Sequence, residues 1–230
     1  MTHDYLNALL TLDKYQPSQQ GMLKQRVFVT FDALRRHIGL AGLGPEHKLL
    51  DLGTADGALV HVARKRGIDA HGLDVTDGID FETDRLPFDD NSFDTVTGVS
   101  LIEHLRSPAV MLRETLRVLN PGGALILVTP NWRFSYKVFY NDPTHVHPYT
   151  DASMRFLLKG AGFDPVRVVP WLVCKPAWMW DAPMAFELAR LIPFRWSQKR
   201  YIPGFLKGQS KSILALGVKP GGRGPQEIRR

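Results

Sequence analysis

Short apolar runs and longer amphipathic ones alternate through the middle of this chain, and their spacing predicts strand, helix and strand in turn. Leu49-Leu50-Asp51-Leu52 is a brief apolar run, read as a strand over about 48–52. Leu59 to Arg66 follows as a helix over about 58–66; Lys65 and Arg66 suit its negative end and Gly67 its cap. A second strand is expected over about 69–74, and others over Thr95 to Ser100 and Ala124 to Val128. The last of these is apolar throughout, as a central parallel strand should be. A helix over about 107–119 lies between them, with Val110, Leu112, Leu116, Val118 and Leu119 as its apolar face. Asn120-Pro121-Gly122-Gly123 stops it, because Pro cannot continue a helix and Gly turns the chain.

Only eleven residues separate Asp74 from Leu86, too few for a helix and a strand. The third strand–helix unit is therefore expected to be shortened or replaced by a loop. Further on, a helix over about 151–160, a strand over about 164–170 and a last strand at Ser212 to Val218 complete an α/β pattern. Before it, Leu6, Leu9, Leu10 and then Val27, Phe28, Phe31 and Leu34 recur at helical spacing, with a turn-rich break at Gly39 to Pro45.

These signals divide the chain into a helical segment (1–46), a core (47–170), an aromatic, Pro-punctuated insert (171–210), a last core strand (211–219) and a tail (220–230). All five tryptophans, Trp132, Trp171, Trp178, Trp180 and Trp196, lie beyond residue 130. They suit either the core of an added subdomain or a lid that stacks on a substrate.

Composition narrows the class. Apolar content of 44% with 23% charged residues is that of a soluble globular protein, and 230 residues can bury a sizeable core. The lone Cys174 excludes an intramolecular disulfide and fits a reducing compartment. The opening residues lack a basic segment followed by an apolar run, and no apolar run approaches the ~20 residues of a membrane span. A cytoplasmic location is expected.

Charge is uneven. Phe186 to Arg230 holds ten Lys or Arg against two acids, a local +8 in a chain of net +6, so the remainder is slightly acidic. Ile192 to Tyr201 mixes aromatics with positive charge. Such a segment suits peripheral contact with an anionic membrane surface at its inner face, or, less well, single-stranded RNA.

The chemistry centres on Leu50-Asp51-Leu52-Gly53-Thr54-Ala55-Asp56-Gly57. A strand, Gly-rich turn and helix bring backbone N–H groups and a positive helix end to one point, and glycine lets a ligand approach the backbone. Asp74, about twenty residues on, ends the next strand where a doubly wound sheet offers a carboxylate to ribose hydroxyls. Together with Leu86-Pro87-Phe88, Phe93-Asp94, Glu103-His104 and Asn120-Pro121-Gly122-Gly123, this order resembles class I S-adenosylmethionine-dependent methyltransferases over residues 47–165. A nicotinamide-binding protein is the rival on the same architecture, but Gly53, Ala55 and Ala58 make only a degenerate dinucleotide fingerprint.

The resemblance implies a Rossmann-like, doubly wound seven-stranded sheet with a reversed last strand, and S-adenosylmethionine as cofactor. It implies that Asp51 and the backbone at Gly53, Ala55 and Gly57 hold the methionine part. Asp74 takes the ribose. Glu82, with the backbone of Thr83, meets the adenine, though Asp80 or Asp84 could stand in its place. Ser100 completes the cofactor set. Ala55 replaces the usual middle Gly, which is expected only to tighten packing.

The acceptor belongs at the carboxyl ends of the strands, near Ser100 to Leu105 or Thr129 to Tyr149. Methyl transfer to a hydroxyl needs alignment and a base, and histidine suits the base. His145, His147 and His104 are the candidates; His145 and His147, two apart, share a side if their loop is extended. Asp142, His145 and His147 could also be read as metal ligands, though no metal is assigned. The segment from Asp142 to Tyr149 resembles, more weakly, methyltransferases of bacterial glycan and polysaccharide assembly, implying O-methylation of a sugar, a glycan precursor or another small metabolite. An RNA methyltransferase or a non-catalytic scaffold is the alternative.

Overall fold

The computed structural model describes residues 17–171, 194–195, 207–209 and 211–221. Leu6, Leu9, Leu10, Cys174, Trp178, Trp180, Trp196, most of the basic segment 192–201 and the end of the tail lie outside the described residues.

A six-stranded sheet carries the rest. Its strands are β1 (Lys48–Leu52), β2 (Asp69–Leu73), β3 (Phe93–Val99), β4 (Leu119–Pro130), β5 (Val166–Pro170) and β8 (Ser212–Val218), in the spatial order β2-β1-β3-β4-β8-β5. The first four are mutually parallel, while β8 runs antiparallel to both β4 and β5. The final strand is thus the reversed one, inserted between two earlier strands. Two short strands, β6 (Phe194–Arg195) and β7 (Lys207–Gln209), pair with each other in parallel within the insert.

Helices cover both faces. Alternate residues of each strand point to opposite sides, so Leu49, Ala124, Ile126, Val128, Leu214 and Leu216 serve one core. On it lie α1 (Pro17–His37), through Val27, Phe28, Phe31 and Leu34, and α2 (Ala58–Arg64), through Leu59, Val60 and Val62. The other face, with Leu50, Leu52, Leu125, Leu127, Ile213 and Ala215, receives α3 (Ala109–Val118) and α5 (Asp151–Gly160). The one-turn α4 (Trp132–Ser135) follows β4.

The helical N-terminal segment therefore acts, over its described length, as a core-covering layer. It is pinned by Arg35, a buried cation whose guanidinium donates to Thr95 Oγ1 (2.8 Å), the Asp94 carbonyl (3.3 Å) and the Ala41 carbonyl (3.0 Å). Burial lowers its pKa to about 10, against the opposing pull of Asp94 and Asp32.

Three local details refine the reading of the sequence. α3 begins at Ala109 and turns Met111, Leu112, Thr115 and Val118 inward, leaving Val110 and Leu116 half-buried and giving Leu119 to β4. The helix does stop just before Asn120 to Gly123, but that segment already belongs to β4. It is an irregularity within β4 that shifts the register between Phe93 and Thr95, with Gly122 at φ +80° and Asn120 Nδ2 donating to Asp94 Oδ1 at 2.8 Å. Between Asp74 and Leu86 there is only a 3₁₀ turn, Val75–Asp77, capped reciprocally by Asp74 and Asp77. The short third unit follows the residue count, and the sheet has six strands among the described residues instead of seven.

The Leu86-Pro87-Phe88 turn is held to α3. Glu114 accepts the Leu86 N–H at 3.0 Å, and Arg117 donates to the carbonyls of Leu86 (2.9 Å) and Phe88 (2.8 Å). Arg117 also pairs with Glu114 at 2.8 Å, so one ion pair satisfies the turn's backbone.

Candidate active site

The β1–α2 turn sits at the carboxyl end of the sheet and is bent by three residues of positive φ: Gly53 (+66°), Ala55 (+50°) and Gly57 (+67°). Ala55 is thus strained as well as tight, since an L-residue in the left-handed region costs about 1–2 kcal/mol. A Cβ at Gly57 would meet nothing within 4 Å, so open space adjoins the turn. Thr54 Oγ1 is buried there without a hydrogen-bond partner. An orphaned hydroxyl beside open, glycine-lined backbone is what a polar ligand would satisfy.

Asp74 reaches across to this turn. Its Oδ2 accepts the Ala55 N–H at 2.9 Å, and its Oδ1 the Thr76 N–H at 3.4 Å. Asp51 is buried at the end of β1, only 2% exposed, and accepts Thr97 Oγ1–H at 2.7 Å. Glu82 turns its carboxylate to the Ser107 N–H (2.6 Å), at the entry to α3. Asp80 accepts the Glu82 N–H, and Asp84 accepts from the Asp80 N–H and the Thr83 hydroxyl. All three acids expected at the adenine are thus already hydrogen-bonded, Asp80 and Asp84 within their own turn and Glu82 to the entry of α3. Ser100, at φ +55°, leaves the end of β3 as an exposed residue.

The histidines do not share one side of their loop. The N–H groups of Val146 and His147 both donate to the Glu103 carbonyl (2.9 and 3.0 Å), which bends the loop onto the segment after β3. His145 then faces His104, with ring centres 4.8 Å apart, whereas His147 stacks on Tyr149 at 4.6 Å and 6°. The triple whose ligand atoms lie within 4.8 Å of one another is Glu103, His104 and His145, in place of Asp142, His145 and His147.

Glu103 is the residue whose role sequence spacing missed. It is 0% exposed; Oε2 accepts Thr129 Oγ1–H at 3.0 Å, while Oε1 has no partner within hydrogen-bonding geometry. Burial raises its pKa to about 7, against the hydrogen bonds from its own backbone, Thr129 and Ser100. The hydroxyl of Tyr149 is also buried and unpartnered, and burial, with the Glu103 charge, pushes its pKa up. The signal for Glu103 in the sequence is its place beside His104 just past an apolar strand; its burial is not visible there.

The tautomers follow from the bonding. The single Thr144 hydroxyl hydrogen goes to Asp142 Oδ1 at 2.6 Å, so toward His104 Nδ1, at 2.8 Å, the hydroxyl can only accept. His104 therefore carries its hydrogen on Nδ1. His145 Nδ1 meets the Phe139 carbonyl at 2.8 Å and must donate as well. In a neutral ring Nε2 then keeps the lone pair; His145 Nε2 lies 3.9 Å from Asp142 Oδ2. Burial lowers the His104 pKa, helped by His145, which favours the neutral ring. Asp142 ends below the usual carboxylate range: burial pushes it up, but the hydrogen bonds from the Thr144 hydroxyl and N–H outweigh that, helped by any positive charge on His145 or His104. Trp132, Phe139 and Tyr140 form an aromatic wall beside His145, with Phe139 and His145 ring centres 4.6 Å apart.

The two regions adjoin: a Cβ at Gly53 would stand 3.2 Å from the side chain of Leu101, two residues before Glu103. A turn suited to a nucleoside-type ligand thus lies next to a cluster suited to handling a proton or a cation.

Known proteins agree with this architecture. The chain is 37% identical over 82 residues to a "Probable S-adenosylmethionine-dependent methyltransferase" of Mycolicibacterium smegmatis, covering 34% of this chain and 32% of that one. It is 34% identical over 96 residues to a ubiquinone biosynthesis O-methyltransferase of Xanthomonas oryzae pv. oryzae, covering 40% and 37%. The chain thus spans about a third of the length of these curated relatives. Among solved structures, a SAM-dependent methyltransferase from Archaeoglobus fulgidus superposes with a TM-score of 0.52 at 18% identity, covering 84% of this chain and 94% of that one, a likeness of fold. A family described as "Methyltransferase domain" matches residues 23–168, more than half of the chain. The chain belongs to that methyltransferase-domain family, among the class I S-adenosylmethionine-dependent methyltransferases.

Proposed function

We propose that this protein transfers the methyl group of S-adenosylmethionine to a hydroxyl oxygen of a small acceptor, a sugar or glycan precursor being the class the site suits best. The observation that carries the reading is the convergence of His104 and His145 on buried Glu103, next to the cofactor turn. When bound, the cofactor supplies a sulfonium methyl that is already a strong electrophile. The protein's task is to hold, to align and to manage one proton.

In this reading Asp74 and the turn 53–57 hold the nucleoside and methionine parts, with Thr54 Oγ1 gaining a partner. Glu82 or a neighbouring acid meets the adenine. Trp132 and Tyr140 offer faces on which a sugar ring stacks and from which water is displaced. The acceptor hydroxyl sheds its proton at the Glu103–His104–His145 group, where two imidazole lone pairs are available. The O-methyltransferase named among the relatives supports oxygen as the methylated atom.

The test is calorimetric titration with S-adenosylhomocysteine, beside NADH as control, followed by transfer of labelled methyl to nucleotide sugars, lipid-linked glycans and phenols. Binding of the first ligand alone, and label recovered as an ether, are expected. A folded protein that binds neither, or label recovered on nitrogen or carbon, would overturn the reading.

A further inference from the structure

Glu103, His104 and His145 come from two segments some forty residues apart, and Thr129, Thr144 and the Phe139 carbonyl each hold one of them in orientation. We propose that they form a site for one divalent first-row transition cation. Glu103 Oε1 is fully buried with no hydrogen-bond partner, and it belongs to a triple whose ligand atoms lie within 4.8 Å of one another. Carboxylate and imidazole ligands stand about 2.0–2.2 Å from such a cation, so in a tetrahedral arrangement the donors are about 3.3–3.6 Å apart. The side chains close by about an ångström, within reach of a rotation of each ring and of the carboxylate.

The surroundings are those of a ligand set. A metal-binding histidine donates its other ring N–H to a carbonyl, carboxylate or similar acceptor, which fixes its tautomer. His145 does so to the Phe139 carbonyl, and His104 to the Thr144 hydroxyl, itself tied to Asp142. In both rings that leaves Nε2 with the lone pair a cation requires. Two imidazoles with one carboxylate favour zinc, cobalt, iron or manganese over magnesium or calcium, which prefer oxygen alone.

The inference deepens the methyl-transfer reading and rests on it only for its role. A cation here stands where the acceptor hydroxyl would arrive, and coordination makes an O–H more acidic. With the cation bound both Nε2 lone pairs are engaged, so the O–H proton passes to solvent water instead of to a histidine. The electron pair left on oxygen attacks the methyl carbon as the C–S bond breaks and its pair stays on sulfur.

The test uses the full chain stripped with a chelator and titrated with Co²⁺, read by visible absorption, with S-adenosylhomocysteine binding measured in parallel. One Co²⁺ per chain is expected, with the intense bands of a low-coordinate nitrogen–oxygen site. Glu103→Gln and His145→Ala should each weaken binding at least tenfold, while His61→Ala, an exposed histidine on α2, should not. Unchanged nucleoside binding and far-UV dichroism in each variant will show that the fold is kept. Absence of stoichiometric binding, or a Glu103→Gln variant that binds Co²⁺ as the wild type does, would overturn the cation site. Loss of S-adenosylhomocysteine binding with Co²⁺ binding intact would strike the methyl-transfer reading and leave this one standing.

Discussion

The carboxylate of Asp74 accepts the backbone N–H of Ala55 at 2.9 Å, and by that bond the end of β2 holds the strained turn after β1. Both residues carry their chemistry at one point, so either can be altered to ask a separate question of the site.

Asp74→Ala should lower affinity for S-adenosylhomocysteine at least a hundredfold while costing only about 1 kcal/mol of stability, since the carboxylate is half-exposed and its lost bonds are to accessible backbone. Calorimetry beside thermal melting separates the two. Wild-type affinity in the variant would remove Asp74 from the cofactor site.

Ala55→Gly should stabilise the protein by roughly 0.5–1 kcal/mol. The residue sits at φ +50°, where glycine escapes the Cβ penalty, and the gain exceeds the added freedom of the unfolded chain. A shift in the denaturant midpoint without a change in slope will show it.

Arg35→Met tests the seat of α1. The guanidinium is 3% exposed and satisfies Thr95 Oγ1 and the carbonyls of Asp94 and Ala41, which the thioether leaves unpaired. Removing it should cost about 2–4 kcal/mol, more than a surface arginine would. Urea unfolding of both proteins measures it.

Gly217→Ala probes packing between β8 and the end of α5. An added Cβ would stand 2.8 Å from Phe163 Cβ and 2.9 Å from its Cγ, atoms near the backbone that cannot swing aside. Phe163 is itself buried, so a loss of about 1–3 kcal/mol is expected from overpacking.

Thr144→Val removes the nearer acceptor of His104 Nδ1, the hydroxyl at 2.8 Å, and leaves only the Thr144 carbonyl at 3.3 Å to orient the ring. Co²⁺ affinity should fall about 10–100-fold, as when other orienting partners of metal ligands are lost. S-adenosylhomocysteine affinity should stay unchanged, which distinguishes positioning of His104 from general damage.

By itself, the sequence determined what depends on near neighbours. The turn 53–57, the strands at 48–52, 69–73 and 212–218, and the brevity of the third unit are each encoded in a dozen residues or fewer, through periodicity, glycine and loop length. The turn expected to meet the cofactor was legible for the same reason, because its strand, tight turn and helix lie close along the chain. The tertiary structure alone decided that α1 packs on a core, and that Asn120 to Gly123 is bent backbone within a strand. It also decided that His145 parts from His147 to join Glu103 and His104. These outcomes depend on groups forty to sixty residues apart, Glu103 with His145 and Arg35 with Thr95. Only chain closure brings such groups together, and burial then gives each one a character that its identity in the sequence does not carry.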